Sequence, residues 1–279
     1  MRNPASLILS ALAFIVLLGA DAVAVTVTCT QSGNWSATTT WGGNPAPAAG
    51  DAVIIGGNFT VTVDVTNAAC LSLQLGGSVA GTGRGTLSFN SGSQLTVSGP
   101  VTIGVSNNPG AISMASGGTL TSEGLIQNNL GTWTPGTGTI EFTASNTLPN
   151  NGITSFNNLT ISAGTTTLNA NTSVVNLLIN PTATLDCSLR TLTVSGSWVN
   201  NGTFTGNTGT VIFDKNGNQT VTGTGANNFN FVRLNIGTSN SNILEVLSAN
   251  FTAPQAFLTL SNGTFKMSSS NQLNSKATH

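Results

Sequence analysis

The chain has 279 residues, a formal net charge of −1 and only 5% charged side chains, where ordinary soluble domains carry about 25%. With 39% hydrophobic residues it is too apolar and too nearly neutral for a disordered tail. The scarcity of Lys and Arg excludes an electrostatic footprint for nucleic acid and a polybasic membrane patch.

The first element is a leader. Arg2 supplies a positive start, LILSALAFIVLL (7–18) an apolar run, and Ala22-Val23-Ala24 a small-x-small cleavage site. Together these predict a secretory signal peptide over residues 1–24. The run is short for a membrane anchor, and no later stretch reaches the ~20 apolar residues of a spanning helix. The expected mature chain is therefore secreted or held at the cell surface, with no transmembrane segment after cleavage.

Residues 25–80 differ from the rest. They hold Trp35, Trp41 and NPAPAAGD (44–51), followed by Val61, Val63, Leu71, Leu73 and Leu75 at period two. This predicts an N-terminal cap and first coil, because a solenoid's open apolar end and strand edges need covering. Trp35 and Trp41 are expected to form that cap. The other use for them is a glycan-stacking platform.

From residue 81 short alternating pieces recur between Gly, Asn and Ser. They are TLSF (86–89), QLTV (94–97), VTIG (101–104), AISM (111–114), TLTS (119–122), TIEF (139–142), LTI (159–161), LLI (177–179), TLTV (191–194), VIF (211–213), RLNI (233–236), ILEV (243–246) and FLTL (257–260). Each fits a strand with one buried face. Few Glu, Lys, Arg or Gln are present to support helices, while Thr favours strands and Gly and Asn favour turns.

The phrase around Asn128-Asn129 recurs at Asn200-Asn201, so that Phe142 matches Phe213 and Leu159 and Ile161 match Leu234 and Ile236. A 72-residue self-match reads as three stacked coils of 24. The prediction is an all-β, right-handed parallel β-helix with coils over 81–267 and a frayed tail over 268–279. Roughly ten coils at ~4.8 Å give a rod of about 50 Å.

GNWSATTTWGGNPAPAAGDAVIIGGNFTVTVDV (33–65) resembles the opening of secreted bacterial β-helix surface proteins, the family sometimes called the eight-glycine extracellular domain. WVNNGTFTGNTGTVIFDKNGNQTVTGTG (198–225) with FNFVRLNI (229–236) is similar to the coil repeats of the same adhesin-like proteins. The resemblance implies a β-helix in a surface protein. Members are usually longer, so a fragment or a short secreted relative is implied.

Cys29, Cys70 and Cys187 lack the CxxC spacing of a metal or redox site. Cys29 and Cys70 pair as a disulfide in the cap region, or all three thiols stay buried and unreacted. After the leader the carboxylates are Asp51, Asp64, Glu123, Glu141, Asp186, Asp214 and Glu245, with no DxD or ExD among them. Glu141 and Asp214, flanking the matched phenylalanines, are expected on one side of the rod roughly 14 Å apart, beyond the ~5–9.5 Å of glycosidase pairs. His279, the sole histidine, is terminal. Asp51 and Asp64 could form one weak Ca²⁺ site, but Asp51 after Gly50 reads as a turn residue. Arg84 in GTGRG (81–85) reads as solvated. No catalytic, metal or cofactor site is expected.

The expected function is a non-catalytic extracellular or cell-surface structural or adhesive module, with glycans or other surface proteins as partners. The alternatives are a polysaccharide-active β-helix enzyme, which the carboxylate census opposes, and an ice-binding protein, for which no regular Thr-x-Thr recurs at the coil period.

Overall fold

The computed structural model describes residues 25–77, 83–237, 239, 241–248, 251–252 and 258–267. The signal peptide expected over 1–24 and the tail over 268–279 lie outside the described residues. All strand pairing along the rod is parallel, and the chain forms a β-solenoid of about nine turns. Among the described residues the helical structure is the single 3₁₀ turn Thr38–Trp41.

Each turn visits three faces. Face 1 begins with Thr26–Thr28, Ala52–Ile55, Ser72–Leu75, Val101–Ile103 and Leu125–Gln127, a five-stranded sheet. Face 2 begins with Gly33–Asn34, Phe59–Val63, Gly85–Phe89, Gly110–Ser113 and Leu130–Thr134, also five-stranded. Face 3 stacks Ala68–Cys70, Gln94–Val97, Thr119–Ser122 and Thr139–Phe142, and continues to Thr264–Met267 without a break in pairing. One level interrupts the other two faces. After Leu125–Gln127, the face 1 position passes to Asn146–Thr147 and a new six-stranded sheet. After Leu130–Thr134, face 2 resumes in the first residues of Ser155–Ile161. That strand and Thr172–Ile179 run across the corner from face 2 into face 3, fusing both into one 14-stranded sheet.

Period two makes the core. In Gly85–Phe89, Leu87 and Phe89 point inward while Thr86 and Ser88 remain half-buried outside. All thirteen predicted pieces overlap strands; Gly104, Met114 and Ile236 fall one residue past their strand ends, and residue 257 lies outside the described set.

The repeat length differs from the uniform coil of 24. Strand partners step by 18 residues at the shortest (Leu159 to Leu177) and 28 at the longest (Leu73 to Val101). Phe142 and Phe213 are both fully buried but occupy different columns. Phe142 aligns with Ile161, Ile179 and Asn200 on face 3. Phe213 aligns with Val194, Val174 and Phe156 on face 2. The self-match therefore relates two different corners. Most corners place Gly or Asn between two period-two strands, so the pattern cannot tell one corner from the next.

Candidate functional site

Trp35 and Trp41 are each 1% exposed, packed edge to face with ring centroids 5.3 Å apart. Trp41 Nε1 donates to the Trp35 carbonyl at 2.7 Å, and Ser36 N and Oγ donate to the Asp64 carboxylate at 3.0 and 2.6 Å. Both rings belong to the buried core of the first turn. Their faces are unavailable to a sugar, which corrects the stacking platform.

The three thiols are free and buried, so the Cys29–Cys70 disulfide is not formed. Cys29 follows the first face 1 strand, whereas Cys70 ends a face 3 strand. Burial pushes Cys70 and Cys187 up to about 12, aided by the charges of Asp51 and Asp186, so neither is a nucleophile near neutral pH.

The carboxylates are dispersed. Asp51 closes the Pro-rich loop, accepting from Ala48 N at 2.8 Å, and Asp64 is committed to Ser36. Among the described residues no group of three His, Cys, Asp or Glu could hold a metal. Glu141 sits outward on face 3, accepting from Thr121 Oγ1 at 3.1 Å and from Ser162 Oγ. Asp214 follows a face 2 strand, so the two do not share one side of the rod. Burial raises the Asp214 carboxyl above its ordinary range, and its Oδ1 has no partner among the described residues. Glu245 pairs with Lys266 at 2.7 Å across matching positions of adjacent turns. His279 lies outside the described residues.

Stacking instead assembles an open polar groove of about 600 Å³ at the corner of faces 1 and 2. It is lined by Asn58, Thr60, Arg84, Thr86, Asn108 and Pro109, together with Gly83 and Asn107. Asn58, in the left-handed region at φ 65°, donates its N–H to the Arg84 carbonyl at 2.9 Å. Its Oδ1 accepts from Arg84 N at 3.0 Å, and Asn108 Oδ1 accepts from Gly83 N at 2.9 Å. One turn thus clamps the next. Gly85 is required at this corner, because a Cβ there would stand 1.8 Å from the Ile55 carbonyl oxygen. The Arg84 side chain reaches along the rod, and a Cβ at Gly131 would stand 3.2 Å from its Nε. Sequence reasoning dismissed Arg84 as merely solvated, since nothing local shows that residues 58, 84 and 108 share a corner.

The groove opens onto rows of hydroxyls. On face 2, Thr60 aligns with Thr86, and Thr62 with Ser88, Ser113 and Thr134. On face 1, Thr165, Thr184 and Thr203 align, and Thr167, Asp186 and Thr205 beside them. Thr-x-Thr stands at 165–167 and again two turns on at 203–205, but the turn between carries Thr184 and Asp186, so the motif does not recur at every coil. Face 3 carries an amide ladder: Asn176 Nδ2 donates to Asn158 Oδ1 at 2.8 Å, and Asn176 Oδ1 accepts from Ser197 N at 2.9 Å.

The fold defines a parallel β-solenoid. Compared with protein-family models, with curated proteins and with solved structures, the chain matches none. Among the described residues no helix is long and apolar enough to cross a membrane.

Proposed function

We propose that this chain is a non-catalytic structural or adhesive module, exported to the cell surface or beyond, that recognises glycans or other surface proteins along its sides. The observation that carries this reading is the set of outward hydroxyl and amide columns on a stacked backbone, such as Thr62, Ser88, Ser113 and Thr134. Rows about 4.8 Å apart offer repeated donors and acceptors without ordering any loop on binding. The leader expected over 1–24 and the resemblance of 198–236 to adhesin-like coil repeats are what favour an extracellular setting. Dispersal of Glu141 and Asp214 over different faces weighs against a glycosidase pair. The Thr-x-Thr rows of face 1 are interrupted by Asp186, which weighs against ice binding.

A glycan array and a polysaccharide-degradation screen on the purified chain test this together. Binding without product release is expected. Product release that disappears in Glu141→Gln would make the protein an enzyme, and an array with no binder would remove the glycan-binding role.

A further inference from the structure

We infer that the groove around Arg84 binds the carboxylate of an acidic polysaccharide, a uronate-containing chain lying across the first turns of face 2. The inference rests on the glycan-binding reading above and narrows it to one site and one ligand chemistry.

What the groove offers is donors. Its one charged lining residue is Arg84, and no carboxylate lines it. Among the described residues the Arg84 guanidinium forms no ion pair. The Oδ1 atoms of Asn58 and Asn108 are spent on backbone N–H groups of the neighbouring turn, so these side chains turn Nδ2–H donors to a ligand. Thr60 and Thr86, aligned on face 2, add hydroxyls that suit the ring oxygens and hydroxyls of a sugar. A donor-rich surface with one planar cation selects a planar, acceptor-only group, and guanidinium grips a carboxylate through two parallel N–H···O bonds.

The local structure holds Arg84 for this task. Its backbone is fixed on both sides by Asn58. Its side chain passes toward Gly131, two turns along face 2, where the missing side chain leaves room; a Cβ there would also stand 3.2 Å from the Pro109 Cβ. The volume of about 600 Å³ falls within the roughly 300–1,000 Å³ of small-ligand sites. The open side lets a polymer enter and leave along the hydroxyl rows without threading.

The test is calorimetric titration of the full purified chain with a short oligouronate, the neutral oligomer of equal length and a sulfate-ester oligomer of equal length. Wild type, Arg84→Gln, Arg84→Lys and Gly131→Val are compared, with urea midpoints confirming that each folds. The oligouronate should bind wild type more tightly than the other two sugars. Arg84→Gln should weaken it roughly tenfold, the scale of one lost charge-assisted contact. Arg84→Lys should fall between, and Gly131→Val should weaken it by displacing the guanidinium while leaving the charge. Neutral-sugar binding should not change in any variant. Equal oligouronate affinity in wild type and Arg84→Gln overturns the site while leaving glycan recognition elsewhere on the rod intact. Preference for the sulfate ester overturns the uronate assignment. Absence of binding to every sugar overturns both this inference and the glycan reading beneath it.

Discussion

Between the buried tryptophans of the first turn and Phe142, residues 53–140 fill the interior mainly with aliphatic side chains such as Val61, Leu73, Leu87, Leu95, Ile103 and Leu120, all 0–1% exposed, with Phe89 the one buried aromatic among them. Residues 198–265 thread an aromatic cluster through the same interior. Trp198 lies 4.9 Å from Phe204 and 5.2 Å from Phe229, and Phe229 lies 4.7 Å from Phe251. The far half also buries polar groups. Asn227 Oδ1 accepts from Trp198 Nε1 at 2.9 Å and Asn200 Nδ2 at 3.1 Å, while its Nδ2 donates to Ser248 Oγ at 3.0 Å. Because each turn packs only on its neighbours, interior chemistry can change along the rod while the backbone ladder continues.

The largest effect should come from the aromatic half. Phe213→Ala should cost about 3–5 kcal/mol, and Leu95→Ala in the aliphatic half about 2–5 kcal/mol with a value below that of Phe213→Ala. Urea melts decide it; a harmless Phe213→Ala would mean that this residue does not face the core, and equal costs would erase the contrast between the halves. Next, Asn227→Ala should cost about 1–3 kcal/mol by leaving buried donors unpaired. The two thiols sharpen this, since Cys70 lies in the aliphatic region and Cys187 on the turn stacked against the start of the aromatic one. Under mild denaturant Asn227→Ala should speed alkylation of Cys187 and leave Cys70 protected; equal acceleration would mean that the rod unfolds as one unit.

The smallest effect concerns Asp214, half-buried at a corner of the far half with its Oδ1 shielded from solvent. Its folded carboxyl titrates above the unfolded one, so the charged form is disfavoured by folding. Wild type therefore loses stability as pH rises from below the unfolded carboxylate range through the raised folded value. Asp214→Asn should be more stable than wild type at pH 7 by no more than about 0.5 kcal/mol, with the advantage vanishing in acid. An advantage that persists in acid would assign the effect to packing rather than charge.

Strand position was legible because inward residues repeat at period two, as in TLTV (191–194). Coil length was not. The longest self-match joins Phe142 on face 3 to Phe213 on face 2, since corners share one turn chemistry. Strands such as Gly164–Thr167 and Thr203–Thr205 escaped notice because each offers few inward apolar residues among threonines. Arg84 carried no local signal, since its partners arrive from turns before and after its own.

Face 3 keeps its pairing from Ala68–Cys70 to Thr264–Met267, while faces 1 and 2 are interrupted at one level between residues 125 and 155. In mechanical terms the molecule is a beam with an intact flange on one side and a notch on the other. Flexing that opens the notch costs fewer backbone hydrogen bonds than flexing that stretches face 3, so the rod is compliant in one direction and stiff in the opposite one. Under load applied at its two ends, yielding should start at the notch, and the fragments on either side should stay tethered by the strands Thr139–Phe142 and Ser155–Ile161.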